Sequence, residues 1–153
     1  MKKFRLLAVT AVLLFSLNVV AQEKQEVSKP FRGAIAVKKI YKVVYQLNTE
    51  DDKKIAATLK NINNALQDPR LAGKLKVELV VHGGGVVAFK KGSAYEQQLL
   101  ELQKKGVLLA QCENTLKERN IEKDELYSFI SFVPSGNGEL IIRQSEGWAI
   151  LHP

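Results

Sequence analysis

From residue 40 onward, short runs rich in β-branched and aromatic residues alternate with segments whose apolar residues recur at helical spacing. A strand that is followed each time by a helix reaches its next strand through a crossover, so the alternation commits the chain to a parallel sheet covered by helices. The runs are IYKVVYQL (Ile40–Leu47), LKVELVV (Leu75–Val81), VLLAQ (Val107–Gln111) and FISFV (Phe129–Val133), with Trp148–Leu151 as a fifth candidate. VLLAQ is continuously apolar up to its glutamine, as expected of a strand buried on both faces. Ile55, Leu59, Ile62 and Leu66 predict a helix over Asp51–Gln67. Asn48 and Thr49 supply capping chemistry there, and Glu50, Asp51 and Asp52 suit its positive start. Ala94 to Leu102 predicts a second helix stopping at Gly106, and Cys112–Asn120 a third. Glu122–Tyr127 adds a turn, and Asn137–Glu146 is a further helix. His82–Ser93, with three consecutive glycines, reads as a loop. The expected fold is α/β, a three-layer α/β/α arrangement around a four- or five-stranded parallel sheet.

The N-terminus does not belong to that pattern. Lys2, Lys3 and Arg5 precede an apolar run from Leu6 to Val20, and Val19 and Ala21 lead into polar sequence. This is the order of a secretory signal peptide, expected over residues 1–21, and the run is short for a membrane span. Residues 22–39 are polar, contain Pro30 and Gly33, and read as a tether to a domain over 40–153. The expectation is therefore a periplasmic or secreted protein with no membrane span after cleavage. The chain has 23 basic and 16 acidic residues, and three of the basic ones precede residue 22, which leaves +4 on the remainder. Those charges are interleaved rather than gathered into a basic stripe with aromatics, which argues against a nucleic-acid partner.

In open parallel sheets ligands bind beyond the carboxyl ends of the strands. Asn48 and Thr49 follow the first strand, and His82, Gly83, Gly84 and Gly85 the second. Cys112, Glu113, Asn114 and Thr115 follow the third; Pro134, Ser135, Gly136 and Asn137 follow the fourth. Cys112 is the sharpest of these. It is the chain's one cysteine, so it has no disulfide partner within the molecule. At a helix start the local N–H groups favour a thiolate, while Glu113 works against one. Two readings stay open: a reactive thiol, or a buried residue that only packs. His82 is open to two readings as well, a base for the thiol or a histidine that merely hydrogen-bonds. The glycines allow close backbone approach but form no GxGxxG fingerprint and lack the lysine of a P-loop. Two histidines and one cysteine without paired spacing make a poor metal shell, and Ser135 is not in a GxSxG elbow. No cofactor is implied. The candidate residues are Cys112 for chemistry, with Asn48, His82, Gly83, Gly84, Gly85, Asn114 and Ser135 for ligand binding.

The strings VVHGGGVVAF, CENTL and VPSGNGELIIRQSEGWAILHP together resemble the DsrE/DsrF-like proteins, in their exported branch, over the stretch from Tyr41 to the C-terminus. The cysteine followed by x-Asn-Thr-Leu, and the closing segment through Arg143, Gln144, Glu146, Gly147, Trp148 and Pro153, carry the resemblance. It implies a compact α/β/α fold and a homo-oligomer, trimeric or hexameric. It also implies that Cys112 carries sulfane sulfur as a persulfide between a donor and an acceptor protein. The alternatives are a non-catalytic module that binds a small anion through the glycine loop and Ser135, and a structural oligomeric module.

Overall fold

The structure, a computed structural model, describes residues 30–153. The expected signal segment and the first part of the tether lie outside the described residues; residues 30–40 carry no helix or strand. The folded unit is Ala34–Pro153.

Its elements are β1 (Tyr41–Leu47), α1 (Asp52–Gln67), β2 (Leu75–Val81), α2 (Glu96–Lys104), β3 (Leu108–Cys112), α3 (Glu113–Arg119), β4 (Ser131–Val133), α4 (Gly136–Ser145) and β5 (Ala149–Leu151). The five strands form one parallel sheet in the order β4-β3-β2-β1-β5. The segment expected to be a loop after β2 is instead a 3-10 helix over Gly83–Phe89, because Val86, Ala88 and Phe89 bury against the core and hold the backbone in a tight coil. A second 3-10 turn, Lys123–Glu125, is closed by a capping box between Glu122 and Glu125.

The order of the strands decides which face each helix covers. From β1 to β4 the chain steps one way across the sheet, then returns past its starting point to lay β5 beside β1. Crossovers share one hand, so reversing direction moves the connecting helix to the opposite face. Strand parity shows the result. Val43, Tyr45, Leu47, Val77, Leu79, Val81 and Leu109 face Ile55, Leu59 and Ile62 of α1, Leu99 and Leu102 of α2, and Leu116 of α3 in one large core. The alternate residues Val44, Val80 and Ala110 form a second, small core with Trp148 and with partly buried Leu140 of α4. Leu108 lies on this second side and is 51% exposed, so β3 is not buried on both faces along its whole length. One helix cannot shield five strands.

Capping also differs from expectation at α1. Asp51, not Asn48 or Thr49, is the N-cap, accepting from the N–H groups of Lys53 at 2.8 Å and Lys54 at 3.1 Å. Thr49 instead accepts from the N–H of Asp51. At the end of α4, the N–H of Trp148 bonds the Arg143 carbonyl and that of Gly147, at φ 78°, bonds Gln144. This is the Schellman pattern, with glycine at the left-handed position. It turns Trp148 back over the helix, where the Arg143 guanidinium lies 4.5 Å from its ring centre. Arg143 also pairs with Glu78, almost fully buried on β2, at 2.6 Å, and with Glu139 at 2.8 Å.

Candidate functional site

The chain changes face between α3 and α4, so the helices that follow neighbouring strands β3 and β4 diverge to opposite sides of the sheet. Such a switch point leaves a crevice at the carboxyl ends of the strands. Here it is a cavity of about 180 Å³ lined by His82, Gly83, Cys112, Asn114, Thr115, Glu118, Ser135, Gly136 and Asn137.

Cys112 is both the last residue of β3 and the N-cap of α3. Its parity matches Leu108 and Ala110, which puts its side chain toward the α4 side of the sheet. The Gln111 side-chain amide bonds the Cys112 carbonyl at 3.0 Å and so fixes the backbone there. The thiol is free and buried. Burial alone pushes its pKa up. Burial is the largest single influence, but the opposing groups outweigh it together: the Gly136 N–H, then the Thr115 hydroxyl, then the N–H groups of Thr115 and Asn114 bring it below the ordinary thiol value. These groups lie at the starts of two helices, where N–H groups without intrahelical partners favour a nearby anion. Thr115 Oγ1 is itself held, accepting from the Gly83 N–H at 2.9 Å, which leaves the hydroxyl proton free to turn to the sulfur. Glu113, the expected opponent of a thiolate, is turned away into an ion pair with Lys123 that also holds its carboxyl below the usual range.

His82 lies in the same cavity, but its Nε2 is 2.8 Å from the Gln46 side-chain nitrogen. An amide nitrogen only donates, so Nε2 accepts and the ring proton sits on Nδ1. Burial first, and then the charge of His152, hold the His82 pKa below its ordinary value. The ring is therefore neutral at physiological pH and already has a partner.

Five of the eight residues expected at the site line this cavity: His82, Gly83, Cys112, Asn114 and Ser135. Asn48, Gly84 and Gly85 do not. Asn48 accepts from His152 at 3.1 Å near the C-terminus. A Cβ on Gly85 would meet the Leu47 carbonyl oxygen at 2.4 Å, and one on Gly84 the Glu50 nitrogen at 3.0 Å. Those two glycines let the 3-10 segment pass against the end of β1. Ser135 caps α4, accepting from the Gly138 N–H at 3.2 Å. Thr115, Gly136 and Gln46 were not expected as site residues. Thr115 had a signal, since a hydroxyl three positions after an N-cap turns back toward the cap. Gln46 had one also: Gln46, His82 and Cys112 share one strand parity on three neighbouring strands. Gly136 acts through its backbone and leaves no side-chain signature.

Among the described residues, no group of three or more His, Cys, Asp or Glu side chains is placed to hold a metal, and no helix is long and apolar enough to cross a membrane.

A family model described as the DsrE/DsrF-like family matches residues 38–153. Among solved structures, a protein of unknown function from Methanobacterium thermoautotrophicum, MTH1491, is 30% identical, with a TM-score of 0.70 over 74% of this chain and 99% of its own. The conserved protein BT1422 of unknown function from Bacteroides thetaiotaomicron is 14% identical, with a TM-score of 0.60 over 79% of this chain and 100% of its own. The ychN protein from E. coli is 16% identical, with a TM-score of 0.59 over 76% of this chain and 100% of its own. The last two are likenesses of fold alone. No curated protein matches the chain.

Proposed function

The chain belongs to the DsrE/DsrF-like family, and on that premise we propose that it is an exported sulfur carrier that holds sulfane sulfur as a persulfide on Cys112. The observation that carries this reading is the place of the thiol: Cys112 is free, buried, sits at the N-cap of α3 and lines the cavity at the carboxyl edge of the sheet together with Thr115, Ser135 and Gly136. A thiolate is the nucleophile in sulfur exchange, and such donors favour it. In the loading step the Cys112 thiolate attacks the outer sulfur of a donor persulfide, R–S–S⁻. A new S–S bond forms on Cys112, the donor's S–S bond breaks, and R–S⁻ leaves with the electron pair. Unloading repeats the exchange with an acceptor thiolate. No external oxidant enters, and the outer sulfur keeps its oxidation state. The chain has no second cysteine, so the persulfide cannot collapse into an intramolecular disulfide.

Export rests on the basic, apolar, small-residue order of residues 1–21. Assembly into a trimer or hexamer rests on the family resemblance, and light scattering measures it. The carrier reading is tested by incubating the reduced protein with a sulfane-sulfur donor and recording its intact mass. A gain of roughly 32 Da, one sulfur atom, is expected in the native chain and not in Cys112→Ser. No gain in the native chain, or an equal gain in the variant, leaves the small-anion binding module as the better reading.

A further inference from the structure

His82 shares the cavity with the thiol yet is committed elsewhere: its Nε2 accepts from Gln46, and burial keeps the ring neutral. What the ring touches instead is the start of α4. A Cβ added at Gly136 would lie 3.1 Å from His82 Cβ and 3.3 Å from both Cγ and Cδ2. Gly136 is buried, it is the first residue of a helix of ten, and it lines the same cavity as Cys112. A Cβ there would stand tighter than an ordinary contact, so an added side chain would press on the ring, and glycine lets the helix start pack closely against it.

We infer that His82 is a positioning residue: by its shape alone its ring is the wall against which Gly136 seats, and that seating places the first N–H of α4 beside the Cys112 sulfur. The imidazole then neither takes a proton from the thiol nor pairs with a thiolate. It acts through shape, and the charge that stabilises the anion comes from the peptide behind it. The titratable groups that line this cavity with Cys112 are His82 from the turn after β2 and Glu118 from α3. The start of α4 contributes none, while His152 acts on His82 from the C-terminal tail. The inference deepens the carrier reading and rests on Cys112 being the working thiol.

The distinguishing variants are His82→Phe, which keeps a ring and removes both nitrogens, and His82→Ala, which removes the ring. The measurement is the rate of iodoacetamide alkylation of Cys112 against pH on the full chain, with circular dichroism to verify folding. No sulfur donor is present, so the result stands apart from the persulfide test. In His82→Ala the thiol profile is expected to move up by about one pH unit, roughly a tenfold loss of thiolate near neutral pH. His82→Phe is expected to keep the native profile. Gly136→Ala, with both histidine nitrogens intact, is expected to show the same upward shift as His82→Ala. Equal shifts in the Phe and Ala variants would make the imidazole a base or charge partner and overturn the inference. An unshifted profile in both His82→Ala and Gly136→Ala would overturn it too.

Discussion

The two faces of the sheet are built to different standards. On one, α1, α2 and α3 close over a continuous core in which Leu79, Ile55, Ile62 and Leu99 are fully buried. On the other, α4 alone covers a core of Val44, Val80, Ala110 and Trp148, with a buried carboxylate beside it. There Ile141, Ile142 and Leu108 remain open to solvent, at 69%, 53% and 51% exposure. The thick face carries the hydrophobic stabilisation. The thin face uses a few specific polar contacts to hold one helix in place, and the N-terminus of that helix lines the cavity that holds the thiol. Core burial and the candidate site are thus divided, with the large core on one side and the cavity on the seam between the two.

The sharpest test of that division is a matched pair of truncations. Leu79→Ala on the thick face is expected to cost about 3–4 kcal/mol, since a fully enclosed leucine loses its transfer energy and leaves a cavity behind. Leu140→Ala on the thin face, where the side chain is only partly buried, is expected to cost about 1 kcal/mol. Urea unfolding measures both. Similar losses would mean that the faces are energetically alike and that the division is only geometric.

A smaller effect, about 2–3 kcal/mol at neutral pH, is expected for Arg143→Met, which leaves the Glu78 carboxylate buried without its cation. Water reaches the guanidinium, which holds the figure below that of a fully enclosed pair. The sign with pH follows from Glu78. Burial, against the pull of Arg143, holds its pKa above the usual carboxylate value. The folded state therefore binds that proton more tightly than the unfolded chain does. Stability from this group is full below the unfolded pKa and is lost as pH rises through the folded one. Removing Arg143 raises the folded pKa further, so the penalty should be greatest above that pKa and shrink toward acid pH. A penalty that grows toward acid would show that Glu78 is not the residue left unpaired.

The fold was legible in the sequence because strand and helix periods alternate cleanly, and because each strand is short and apolar. The parallel sheet and the placement of Cys112 at its carboxyl edge followed from that pattern. What was not legible depends on strand order. The sequence does not say that β5 returns to lie beside β1, so it could not say that α4 stands alone on its face or that Leu108 is left half bare. The site was read in the same uneven way. Of the side chains placed after strand ends, His82, Asn114 and Ser135 line one cavity with Cys112. Gly84 and Gly85 were drawn in by type, although their missing Cβ atoms make room for the backbone of residues 47–50. The Gly136 N–H escaped notice, since a backbone donor becomes visible only once the helix that aims it has been placed.

The smallest expected effect bears on the same contrast. Ile141→Ser and Ile142→Ser remove apolar side chains that project from α4 into solvent. If the thin face is bare, each change should alter unfolding free energy by less than about 0.5 kcal/mol, the usual range for exposed positions. It should do so equally at low and high protein concentration. A second copy seated on this face would alter that result in a recognisable way. Stability linked to association depends on concentration, so the variants would then lose more at high concentration than at low. Denaturant melts across a hundredfold range of protein concentration separate the two cases. A concentration-independent loss near that of Leu79→Ala would fit neither, and would mean that α4 packs more deeply than its exposed residues indicate.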